Sequence, residues 1–110
     1  MEKVSDGFKL FMSETDGVGE AFMGALFQLS DKSYLDKKTH ELAYLSVLVA
    51  TRLYGGLPFH IEQAMRLGAS EEEIRSAMLV PLPVVGISVA EALPYLVKIK
   101  EESQDKQSKP

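Results

Sequence analysis

Apolar residues recur at spacings of three and four along most of the chain, which is the period of a helix with one buried face. No stretch alternates apolar and polar for long enough to read as a strand. Residues 5–14, "SDGFKLFMSE", put Phe8, Phe11 and Met12 at helical spacing. Residues 16–30 repeat the pattern, with Phe22, Leu26 and Leu29 in one stripe and Met23 and Phe27 beside it. Gly17, Gly19 and Gly24 weaken that helix locally, and "SDKSYL" (30–35) reads as a loop.

The strongest pattern spans 36–54, "DKKTHELAYLSVLVATRLY". Asp36 suits an N-cap or first turn, and Gly55-Gly56 suit a terminator. Leu42, Ala43, Leu45, Val47, Leu48, Val49 and Ala50 leave the middle of this helix almost no polar face. A helix that is apolar all round is one buried on all sides. A chain of this length has little material to do that alone, so the pattern predicts an oligomer.

After the glycines, "LPFHIEQAMRLG" (57–68) predicts a helix with Pro58 in its first turn and Gly68 as its C′ residue. "SEEEIRSAMLV" (70–80) opens on a capping box, Ser70 with Glu73 three residues later, and Glu71 and Glu72 add charge that the helix dipole favours. Pro81 and Pro83 break or kink the chain. A last helix is expected over 87–102, bent or split at Pro94, and 103–110, "SQDKQSKP", reads as a polar, disordered tail. The expectation is an all-α bundle of about six helices joined by short connections, one domain over residues 1–102.

Composition narrows the function. The 110 residues contain no cysteine, which removes disulfides, thiolate metal sites, iron–sulfur clusters and cysteine nucleophiles. Net charge is −4, and the 12 basic residues are scattered, so no basic face fits a nucleic-acid backbone. The start "MEKVSDGFKL" does not have the form of a signal peptide, and the longest apolar run, 77–90, is broken by Pro81, Pro83 and Gly86. These features predict a soluble, cytoplasmic protein with no membrane partner. No H-x-x-x-H, E-x-x-H or D-x-D pattern is present, and the short glycine pairs are not phosphate-binding loops, so neither metal nor cofactor is expected.

The candidates for chemistry are His60 and Glu41. Glu41 lies near the start of the long apolar helix, where a charge is costly unless paired or facing a cavity. His60 sits about one turn into its own helix, where the dipole favours the neutral, proton-accepting ring, while an ionised Glu41 nearby would pull the other way and hold the tautomer. Such a pair can act as a base with an orienting acid. The same residues also read as a partly buried histidine satisfied by hydrogen bonds and chemically idle. Ala64 and Gly68, four and eight residues beyond His60, read as close helix packing or as room for a ligand. Tyr44 and Arg52 read as snorkelling or interface side chains, or as contacts to an anionic substrate. His40, beside Lys37, Lys38 and Thr39, reads as solvated.

Residues 37–79 resemble the core of the carboxymuconolactone decarboxylase and alkylhydroperoxidase D-like family. The likeness lies in Glu41 opening an apolar helix, a short turn, His60 followed by Ala64 and Gly68, and then "SEEEI" (70–74). It implies an all-helical subunit that assembles as a trimer or hexamer, with a small-molecule site near subunit contacts. It also implies proton-relay roles for Glu41 and His60. The peroxidase branch carries a C-x-x-C before the histidine, and here those positions are Leu53 and Gly56. A thiol peroxidase needs a thiolate, so that activity is disfavoured. The decarboxylase branch commonly has a glutamate at the place of Gly56. The readings left open are a decarboxylase-like lyase acting on a small carboxylate or lactone, and a non-catalytic oligomer that binds a ligand or partner.

Overall fold

The computed structural model describes residues 3–108, with side chains described through Asp105. Among the described residues the regular structure is entirely helical: α1 (Asp6–Ser13), α2 (Val18–Lys32), α3 (Lys37–Ala50), α4 (Leu57–Arg66), α5 (Glu71–Leu79), α6 (Leu82–Val85) and α7 (Leu93–Ser108). Two 3-10 segments, Tyr54–Gly56 and Gly86–Ala92, join α3 to α4 and α6 to α7. The chain divides into two compact units, Met1–Asp36 and Lys37–Pro110.

The first unit is a helical hairpin. Ser5 caps α1 by accepting from the Phe8 N–H. Thr15 then links the two helices, donating to the Phe11 carbonyl at 2.5 Å and accepting from the Gly19 N–H at 3.0 Å. Gly19 is the buried residue of this hairpin, because a Cβ there would lie 2.6 Å from the Phe11 carbonyl oxygen. Phe11 and Phe22 meet edge to face at 5.7 Å. Ser30, Asp31 and Lys32, expected in a loop, continue α2.

The second unit holds a continuous core. Leu45, Leu48 and Val49 of α3 meet Leu57, Ile61 and Ala64 of α4, Ile74 and Met78 of α5, Val89 and Ala92 of the second 3-10 segment, and Leu96 and Ile99 of α7. The capping box of α5 forms as expected, with the Ser70 side chain on the Glu73 N–H and the Glu73 carboxylate on the Ser70 N–H. Lys38 reaches the same Glu73 from α3 at 2.9 Å. These contacts hold the Glu73 carboxyl below its ordinary value of 4.5, the Ser70 backbone N–H contributing most.

Two helix ends share one hydrogen-bond pattern with different residues. At the end of α4, Gly68 is left-handed (φ +93°), its N–H bonds the Met65 carbonyl and the Ala69 N–H bonds the Ala64 carbonyl. This is a Schellman cap. At the end of α3 the same two bonds run from Arg52 to Val49 and from Leu53 to Leu48, with Arg52 left-handed at φ 61°. The helix therefore stops at Ala50 and not at Tyr54, and Gly55 and Gly56 fall in the 3-10 turn instead. Glycine was expected to end the helix; an arginine does so, at the steric cost a side chain meets in that conformation.

Prolines shape the end of the chain. Pro81 has no N–H to give the Ala77 carbonyl. That carbonyl instead accepts from the Ser46 hydroxyl at 2.6 Å and from the Val80 N–H at 3.3 Å. The helix expected over 87–102 is split beside Pro94, as anticipated: Gly86–Ala92 is a 3-10 segment, and Pro94 falls in the first turn of α7, which starts at Leu93. The helix α7 continues past Glu102 to Ser108, where a tail was expected, and residues 109 and 110 lie outside the described part. By length and composition, Glu71–Asp105 is apolar enough to cross a membrane, with a mean hydropathy of 1.7 over its most apolar window. The chain there consists of α5, α6, a 3-10 segment and α7.

Candidate functional site

The turn between α3 and α4 decides what His60 can touch. Tyr54–Gly56 carries the chain back beside α3, so that a Cβ on Gly56 would lie 3.2 and 3.3 Å from the two Leu48 methyls. The later residue His60 meets the earlier residues Tyr44 and Glu41, so α4 runs antiparallel to α3. At 1.5 Å per residue, His60 lies about 6 Å along α4 from Gly56, and Tyr44 lies about 6 Å along α3 from Leu48. The two rings are level. Glu41 is a further turn along, and its carboxylate reaches back to the ring.

The Glu41 carboxylate and the Nδ1 atom of His60 are hydrogen-bonded, and both side chains are mostly buried, 12% and 22% exposed. An ionised carboxylate only accepts hydrogen bonds, so Nδ1 donates and carries the proton. In the neutral ring the second nitrogen, Nε2, is then the bare acceptor. Tyr44 stacks on the imidazole, with centroids 4.1 Å apart and planes 23° apart. Phe59 meets it edge-on at 5.1 Å. His40 backs Tyr44 at 6.4 Å and is half-buried rather than solvated.

Position 56 adjoins the remaining side of the ring. A Cβ on Gly56 would lie 3.9 Å from His60 Cδ2, the carbon next to Nε2. Glycine puts no side chain at that edge. Two surface depressions lie elsewhere. One, of about 340 Å³, is lined by Glu71, Arg75, Leu93, Leu96, Val97 and Lys100 among others, and the second, of about 330 Å³, by Val4, Phe8, Lys9 and Met12.

The family model of the carboxymuconolactone decarboxylase family matches residues 16–97. The chain belongs to the carboxymuconolactone decarboxylase family. No curated protein and no solved structure matches it. The all-helical architecture agrees with that family. Of the residues singled out by sequence, the fold brings Glu41 and His60 together and puts Tyr44 against the same ring. Ala64 is fully buried, as close packing requires. Gly68 is not a packing residue, since a Cβ there would meet nothing within 4 Å; it is the left-handed cap. Arg52 is likewise a cap. Sequence reasoning missed the Tyr44–His60 stack. The signal was available, because Tyr44 is three residues beyond Glu41 and so on the same face of α3.

Proposed function

We propose that this member of the carboxymuconolactone decarboxylase family binds a small carboxylate or lactone beside His60. The Nε2 atom of His60 takes a proton from the bound molecule and returns it, while Glu41 accepts from Nδ1 and holds the tautomer. The observation that carries this reading is the Glu41–His60 hydrogen bond. A base held in one tautomer by a mostly buried carboxylate suits proton transfer. Thiol peroxidase chemistry is not proposed, because the chain has no cysteine to provide the thiolate.

The working form is proposed to be a cytoplasmic trimer or hexamer. Support comes from apolar side chains left on the surface of the single chain: Val47 at 59% exposure, Val84 at 86% and Ile87 at 83%. Contact with another copy would cover side chains of this kind if they lie in one patch. Turnover of small carboxylates and lactones by the wild type and by His60→Gln tests the reading. Activity lost in the variant, with its melting temperature kept, supports it.

A second reading is a binding protein without catalysis. Its support is that Gly56 puts no reactive side chain next to the imidazole. On that reading no substrate of either class turns over, and His60→Gln alters ligand affinity alone.

A further inference from the structure

The Glu41 bond holds the His60 ring by one edge. The imidazole turns only about its Cα–Cβ and Cβ–Cγ bonds, and either turn takes Nδ1 off Glu41, so one hydrogen bond alone must resist both. Tyr44 supplies a second restraint, against the ring face. Its ring lies level with His60 on the facing helix, 4.1 Å from the imidazole centroid and 23° from parallel. Glu41 and Tyr44 are three residues apart on α3, so one helix face supplies both restraints. His40, four residues before Tyr44, stands behind it at 6.4 Å. Phe59, from the histidine's own helix, closes in edge-on at 85°. The Cδ2 atom, next to Nε2, lies 3.9 Å from where a Cβ on Gly56 would stand, and glycine puts no side chain there.

We propose that Tyr44 is a positioning residue: its ring, stacked on the imidazole, holds His60 with Nδ1 on Glu41 and Nε2 directed away from α3. This rests on the proton-transfer reading for its purpose, though not for its geometry. The stack needs the aromatic face and not the phenol hydroxyl. Phenylalanine should therefore serve, and a small aliphatic side chain should not.

The test is a two-bond proton–nitrogen spectrum of the full chain with no ligand added, with His40→Gln used to assign the two histidines. In neutral imidazole a protonated and a bare ring nitrogen resonate far apart, and a ring exchanging between tautomers gives two averaged signals. Wild type and Tyr44→Phe are expected to show a protonated Nδ1 and a bare Nε2 for His60. Tyr44→Ala is expected to lose that split and move towards averaged signals. Tyr44 is exposed enough that its truncation leaves the core intact. A second measurement needs no variant. The His60 ring protons should be shifted upfield of their unfolded positions by the tyrosine ring current. An undiminished split in Tyr44→Ala overturns the assignment. So does a split lost equally in Tyr44→Phe, or wild-type ring protons at their unfolded positions. None of these readouts uses a substrate. If nothing turns over while the split depends on Tyr44, the proposed function fails and the positioning role stands.

Discussion

The two units are built from the same kind of helix yet bury very different things. In Lys37–Pro110, Leu45, Leu57, Ile61, Ile74 and Met78 are fully buried. In Met1–Asp36, residues of the same character remain exposed: Leu10 at 58%, Phe27 at 67% and Leu29 at 66%. Both units satisfy the local rules for helices, with caps and periodic apolar stripes. Only the second has enough facing helices to turn stripes into a core. Amphipathic spacing makes a helix; burial needs a partner across from it. The Glu41–Tyr44–His60 cluster stands on the second unit, above Leu45, Leu48 and Ile61, where fixed packing can hold a geometry.

The contrast can be broken most forcefully at its centre. Ile61→Ala should cost about 2–5 kcal/mol in chemical denaturation, the usual range for truncating a fully buried aliphatic residue. Leu29→Ala in the first unit should change stability by less than about 0.5 kcal/mol at low concentration. A cost that grows with protein concentration would show that another copy covers that surface.

Next in size is Ser46→Ala. It removes the hydroxyl that serves the Ala77 carbonyl in place of the N–H that Pro81 lacks, and should cost about 1–3 kcal/mol. Gly56→Ala should cost about 1 kcal/mol, since its methyl would crowd the Leu48 methyls. A stabilising effect there would mean that the turn is looser than described.

The smallest effect concerns Glu73. Its carboxyl titrates below 4.5 in the folded chain because the charged form is hydrogen-bonded by Ser70 and Lys38. A folded value below the unfolded one means the contribution is fully present above the unfolded value. It is lost as pH falls through the folded value. Stability should therefore decline on acidification below about 4.5, and Glu73→Gln should remove that part of the decline. An identical acid profile in the variant would show that the capping box is not the source.

Much of this was legible in the sequence. The Ser70–Glu73 box and the Gly68 cap were read from residue types whose chemistry is local. The end of α3 was misread because glycine is the usual left-handed cap, and here Arg52 takes that conformation. The helical turns at Ser30–Lys32 and beyond Glu102 were misread because polar composition resembles that of loops and tails. The split at Pro94 was legible, because proline is at home in the first turn of a new helix. For the site, helix spacing allowed a Glu41–His60 contact without fixing it. What decided the contact was the level at which α4 restarts beside Leu48, set by the packing of Gly56. The same level puts Tyr44 on the ring; helix spacing places Tyr44 on the Glu41 face but does not set that level.

The central claim is that His60 is held as a base by Glu41 through Nδ1. The most direct measurement is the proton spectrum of the imidazole N–H groups in the wild type and in Glu41→Gln. A ring N–H donated to a carboxylate resonates far downfield and exchanges slowly with water. The account predicts one such signal, assigned to His60 Nδ1–H, that is lost or moved strongly upfield in Glu41→Gln while the fold is retained. A wild-type spectrum without that signal, or one that Glu41→Gln leaves unchanged, would contradict it.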